Sequence, residues 1–186
     1  IAVDDDNSDN AFDGLADQAV TVTTTDDDTA GYTLSGATVT VTEAGSTATF
    51  TVVLDTQPTS DVVFTVASVD TGEATVSPTS LTFTTANWNS AQTVTVTGVD
   101  DSIDDGDQDT TVTIAVDDDN SDNAFDGLAD QTVTATTTDD DTAAFTLSTT
   151  TASVTEAGST ATFTVVLDTQ PLSDVVVAVS SADTGE

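Results

Sequence analysis

Apolar and polar residues alternate with a period of two along most of the chain. Side chains of an extended strand point to opposite faces in turn, so this pattern predicts half-buried β-strands. In Ala37–Glu43, Val39 and Val41 share one face and Thr38, Thr40 and Thr42 the other. Ser46–Asp55 places Ala48, Phe50, Val52 and Leu54 together, and Asp61–Ser68 does the same with Val62, Phe64 and Val66. Shorter strands are expected at Gly31–Ser35, Ala74–Ser77 and Ser80–Thr84, the last with Leu81 and Phe83 inward. Three more follow: Gln92–Val99 with Val94 and Val96, Thr110–Val116 with Val112 and Ile114, and Gln131–Thr138 with Val133 and Ala135. The opposite faces are mostly Thr, which suits a solvated sheet surface. No segment has helical periodicity. Many short strands separated by turn residues predict an all-β, Greek-key β-sandwich of the immunoglobulin-like kind. Trp88, in TANWNSAQ, is expected to plug one end of it.

The pattern also repeats. IAVDDDNSDNAFDGLAD at residues 1–17 recurs at 114–130, and VTEAGSTATFTVVLDTQP at 41–58 recurs at 154–171, both at an offset of 113. Such self-similarity marks tandem modules. On this reading residues 1–28 are the C-terminal part of one repeat, 29–141 are a complete repeat, and 142–186 begin the next. The counterpart of 74–113 occurs once, and the chain begins at Ile1 rather than Met. The polypeptide is therefore expected to continue at both ends. Only Thr29 and Thr142 stand between the DDD runs and Ala30 and Ala143, with no Gly/Ser-rich linker, so neighbouring repeats are expected to touch.

Composition narrows the chemistry. The chain has no Lys, Arg, His or Cys, and its 34 acids give a formal charge of −34. It has no imidazole base, no thiol nucleophile, no usual zinc ligand set and no disulfide. Phosphate backbones and anionic bilayers need side-chain cations, so nucleic acid and membrane surfaces are excluded as direct partners. No apolar run is long enough to span a bilayer. Two carboxylates can hydrolyse a glycoside, but no isolated pair stands apart from the acid clusters, and an enzyme is not expected.

Of the acids, 30 are Asp and four are Glu (Glu43, Glu73, Glu156 and Glu186). A coat serving solubility alone would be scattered over strand faces. These acids instead crowd at predicted strand ends: Asp26–Asp28 and their copies Asp139–Asp141, DDSIDDGDQD at 100–109, and DDDNSDNAFDGLAD at 117–130. Clustered carboxylates repel unless a cation joins them, and a hard ion with roughly six to eight oxygen ligands suits Asp-rich turns. Calcium is the expected cofactor. The EF-hand spacing is absent, since Ile103 stands where an acid is needed and no Glu follows. The 117–130 segment is expected to offer a further site.

The succession VTVTEAG, an Asp-bearing turn, TVTVTGVDDSIDDGD and a last strand ending in TTTDDD resembles the Calx-β domain over the whole repeat, Ala30 to Asp141. It looks especially like the long Calx-β-like arrays of bacterial surface proteins. The resemblance implies calcium ions clustered at one end of the sandwich. Carried over by position, it implies ligands from Glu43, from Asp70 in the turn after the third long strand, from Asp100, Asp101, the Ile103 carbonyl, Asp105 and Asp107, and from Asp139, Asp140 and Asp141. The repeat adds their copies Asp26, Asp27, Asp28, Glu156 and Asp183. The 70–74 turn reads DTGEA where the family usually has Asp-Gly-Thr-Ala.

These features predict a calcium-binding structural module of a long secreted or cell-surface repeat protein. Its partners would be neighbouring copies of the same repeat, assembled into a rigid rod or fibre. The alternative is an adhesin module that uses its Thr-rich faces to bind a glycan or ice.

Overall fold

The computed structural model describes residues 1–182 and is a β-sandwich with no α-helix among them. One sheet has the order β1 (Tyr32–Leu34), β3 (Thr47–Leu54), β7 (Gln92–Gly98) and β5 (Ala74–Ser77). The other has the order β2 (Thr38–Thr42), β9 (Gln131–Thr138), β8 (Gln108–Val116), β4 (Val62–Ser68) and β6 (Ser80–Phe83). All neighbours are antiparallel except β2 and β9, which run parallel. No described helix is long and apolar enough to cross a membrane.

Each of the nine predicted strands forms, within a residue or two of its expected ends. Inward residues from both sheets make one core. Phe50, Val52, Val94 and Val96 come from the first sheet, and Val62, Phe64, Val66, Val112, Ile114 and Val133 from the second. Val39 and Ala48 are only partly buried. Tyr32 and Phe64 meet edge to face at 4.7 Å, as do Phe64 and Phe83 at 5.8 Å. The Tyr32 hydroxyl lies 3.0 and 3.1 Å from the Ile114 and Ala129 carbonyls and accepts the Gln131 N–H. It thus pins β1 to the opposite sheet, and burial raises its pKa. At Gly98 a Cβ would collide with the Thr42 carbonyl oxygen, so only glycine permits this approach of the two sheets. Trp88 is partly buried against the core, and its carbonyl accepts the Leu54 N–H at 3.2 Å, in keeping with an end plug.

The 117–130 connection departs from expectation. Phe125 is fully buried in the core and Leu128 packs against it. Asp122 is buried too, and protein donors saturate it. Its Oδ2 accepts the Thr59 N–H, the Thr59 hydroxyl and the Ser60 N–H at 2.6, 2.6 and 3.0 Å, and its Oδ1 accepts the Ala124 N–H at 3.0 Å. This segment folds as a turn nailed to the β3–β4 connection, with its central acid, Asp122, as a structural anchor. The Thr59 hydroxyl and the backbone donors hold the Asp122 pKa down at about 2, against an ordinary 3.8. The stability it adds is full above about pH 4 and is lost as the pH falls through 2. Asp122→Ala is expected to cost about 1–3 kcal/mol by leaving those donors unpaired. The loss should shrink between pH 4 and 2, which urea melts at the two pH values would show.

The partial copies at either end do not repeat the sandwich. Residues 18–25, the counterpart of β9, form no strand, nor do 151–155, the counterpart of β2. Among the described residues after 141 only a two-stranded ribbon forms, from β10 (Phe145–Leu147) and β11 (Val165–Leu167).

Candidate metal centre

Strand register brings separate acidic segments to one end of the sandwich. Gln108 at the start of β8 faces Thr137 near the end of β9, so the loops at 99–107 and 139–141 lie side by side. The parallel pairing of β2 with β9 sets Thr42 beside Thr138, and the Glu43 N–H donates to the Thr138 carbonyl at 3.2 Å. The Val69 N–H donates to Thr111 at 2.9 Å, which directs the β4–β5 turn to the same end. Two strand hydroxyls fasten that turn: Thr110 Oγ1 accepts the Asp70 N–H at 3.1 Å, and Thr137 Oγ1 donates to the Glu73 carbonyl at 3.1 Å.

Three carboxylates converge. Ligand oxygens of Glu43, Asp101 and Asp141 all lie within 4.8 Å of one another. Glu43 is only 1% exposed, yet its Oε2 has no hydrogen-bond partner. The buried Asp141 Oδ2 and Glu73 Oε2 likewise have none. Burial pushes the Glu43 pKa from 4.5 up to about 7, with Asp139, Asp101 and Glu73 adding repulsion. Asp141 is raised by burial and then by Asp139, Asp140, Asp100 and Asp101. Glu73 is raised by burial and then by Asp105, Asp70 and Asp101. Asp139 moves the other way, because the Asp141 and Gly106 N–H groups donate to it at 2.8 and 2.7 Å.

A buried acceptor without a donor costs free energy, and two such oxygens, of Glu43 and Asp141, belong to this cluster, with no cationic side chain in the whole sequence. A hard divalent cation fits this donor set: oxygen ligands only, closely spaced and anionic. Glu43, Asp101 and Asp141 would form its inner ligands. Asp70, Asp101 and Asp105 are close enough to Glu73 to repel its charge.

The other expected ligands fall into distinct positions. Asp100, Asp105, Asp107 and Asp140 are exposed at this end. Asp107 Oδ1 accepts the Asp139 N–H at 3.2 Å and so supports the closing run. The Ile103 carbonyl already accepts the Asp105 N–H at 3.1 Å, and the Ile103 N–H donates to Asp101 Oδ1 at 2.7 Å. Asp26 and Asp28 lie at the opposite end, where they line a cleft with Thr56–Thr59 and Asp122, and Asp27 is exposed beside them. Glu156 is exposed and joins no acidic group among the described residues. Asp183 lies outside the described residues. Glu73 was missed in the sequence, although the DTGEA turn signalled it: Glu73 is the acid that sets this turn apart from the family pattern.

No protein-family profile and no curated protein sequence matches the chain. Solved structures resemble it at the level of the fold. SSP-19, an MSP-domain protein-like family member of Caenorhabditis elegans, is 17% identical with a TM-score of 0.41 and covers 57% of this chain and 99% of its own. PapD-like domain 7 of human CEP192 is 14% identical with a TM-score of 0.44, over 69% of this chain and 98% of its own. Domains 4 and 5 of the S-layer protein SbsC are 25% identical with a TM-score of 0.39, over 59% of this chain and 51% of theirs. All three scores lie below 0.5, and the chemistry of the acidic end rests on its own geometry.

Proposed function

We propose that this chain is a calcium-binding structural module of an extracellular tandem-repeat protein, in which the ion stiffens the end of each sandwich where the next repeat begins. The observation that carries this reading is the buried, unpartnered carboxylate oxygen of Glu43, set among Asp101 and Asp141. Asp141 ends one repeat and Thr142 begins the next, so a cation held there lies at the junction. The Calx-β resemblance of the repeat agrees with this placement. Sites of this kind in extracellular modules bind at roughly 0.1–1 mM, a concentration range met outside cells. Repeats sharing one junction would stack alike into a rod. Neighbouring repeats are then the module's principal partners, and a cell-surface or matrix location follows from the calcium requirement.

Isothermal titration of the chelated chain with calcium tests the reading. Saturable binding in the millimolar range or tighter is expected, with at least one ion per complete repeat. Glu43→Gln should weaken it by about tenfold or more, because one anionic ligand is lost. In chelator the same variant should be at least as stable as the parent, because it removes a buried charge. Absence of saturable calcium binding up to about 10 mM would overturn the proposal.

A further inference from the structure

Past Asp141 the chain stays in contact with the sandwich it has left. The Ala143 backbone N–H donates to Asp104 Oδ2 at 2.6 Å. The Gln170 backbone N–H donates to the Ser102 carbonyl at 2.6 Å. Ile103, between those two acceptors, forms one wall of a cleft whose other walls include Ala143, Phe145, Leu167, Pro171 and Leu172. Three consecutive residues of one repeat thus engage two separate segments of the next, its entry and its Thr169–Gln170–Pro171 turn.

That turn has a copy, Thr56–Gln57–Pro58, in the complete repeat. The copy lines a cleft with Ala30, the counterpart of Ala143, and with Asp26 and Asp28, the counterparts of Asp139 and Asp141. In both copies the Thr-Gln-Pro turn therefore stands beside the exit of the preceding repeat. In this cation-free sequence the strong donors left for a carboxylate are mainly backbone N–H groups, and Asp104 takes one from the next repeat. Ile103 supplies the apolar surface that an acid at its position would lack.

We propose that the Ser102–Ile103–Asp104 loop is a latch whose partner is the following repeat, gripping it at Ala143 and at the Thr-Gln-Pro turn. The latch rests on the tandem-array reading for its purpose, but it consists of protein–protein bonds and does not require Asp104 to ligate the ion. It fixes the direction and rotation of one repeat against the next at two points about a shared cleft, whereas a single covalent connection through Thr142 leaves rotation free.

Amide hydrogen exchange on the full 186-residue chain, followed by NMR in calcium and in chelator, tests the latch. The Ala143 and Gln170 amides are expected to be protected. Asp104→Ala should speed Ala143 exchange on the order of tenfold or more, while Asp104→Asn, which keeps an oxygen acceptor, should largely preserve its protection. Ile103→Ser should speed exchange at both amides. In every variant the β8–β9 amides should stay protected and the calcium stoichiometry unchanged. Free exchange at both amides in the parent chain would overturn the latch, even if calcium bound as proposed. A lower calcium count in Asp104→Ala would also overturn it, by placing Asp104 among the ion's ligands. Protection that persists without any calcium binding would sustain the latch and sink the calcium reading instead.

Discussion

Calcium at about 10 mM is expected to raise the melting temperature of the chelated protein by roughly 6–20 °C for each ion bound. A ligand that binds only the folded state adds RT ln(1 + [L]/Kd), and dissociation constants of roughly 0.1–1 mM give about 1.4–2.7 kcal/mol per site at that concentration. For a domain near 100 residues, each kcal/mol moves the midpoint by roughly 4–8 °C. The effect is large because the fold has no disulfide and no ion pair with a cationic side chain to fall back on. The pH dependence should reverse sign with the ion. In chelator, burial holds Glu43 at about 7 against an ordinary 4.5, so its ionised form is disfavoured in the fold. Stability is then greatest below about pH 4.5 and declines as the pH rises to 7, as far as this group is concerned. With calcium the ligands must be ionised, so acid releases the ion and destabilises the protein. Differential scanning calorimetry at pH 5 and pH 7.5, with calcium and with chelator, would read all four states. Coincident melting curves with and without calcium at pH 7.5 would refute the stabilising role.

Phe50→Ala is expected to cost about 3–5 kcal/mol, the range for an aromatic lost from a packed core. Phe50 is 2% exposed on β3, directly opposite Val94 of β7. Its removal leaves a cavity between the two sheets that their backbones cannot collapse to fill. Phe163, its copy in the partial repeat, is 45% exposed, so Phe163→Ala should change stability by about 0.5 kcal/mol or less. Urea denaturation of the two variants makes the comparison. Equal losses at both positions would contradict the inward assignment of Phe50.

Much of the fold was legible because strand faces depend on a local regularity. Val94 and Val96 point inward for the same reason that Thr93, Thr95 and Thr97 point outward. Phe125 escaped because it sits in an irregular Asp-rich turn, where no period marks a buried face. Asp122 escaped for a related reason. An acid in an acid-rich run looks like its neighbours until the Thr59 and Ser60 donors, some sixty residues away, are folded against it. At the acidic end, the clustering of Asp residues and the Calx-β resemblance named segments that the fold brings to one end of the sandwich. They did not distinguish Glu43, Asp101 and Asp141, which converge, from Asp100 and Asp140, which stay in solvent, because that choice depends on how three loops meet.

The repeat separates the two contributions within a single molecule. VTEAGSTATFTVVLDTQP occurs twice without a change, and the sequence by itself determined the alternation, the turn glycines Gly45 and Gly158 and the placing of an acid after each TVT or SVT segment. Tertiary structure decided the rest. Val41 is buried and Val154 is 62% exposed; Glu43 is buried with an unpartnered oxygen, and Glu156 stands in solvent. The first copy has β9 beside it and the opposite sheet above it. Among the described residues the second pairs only at Val165–Leu167, with β10, and has no opposite sheet over it, so its alternating residues stay largely exposed. A period of two states which side chains will share a face, but burial, and the electrostatic pressure it puts on a carboxylate such as Glu43, come only from the partner that covers that face.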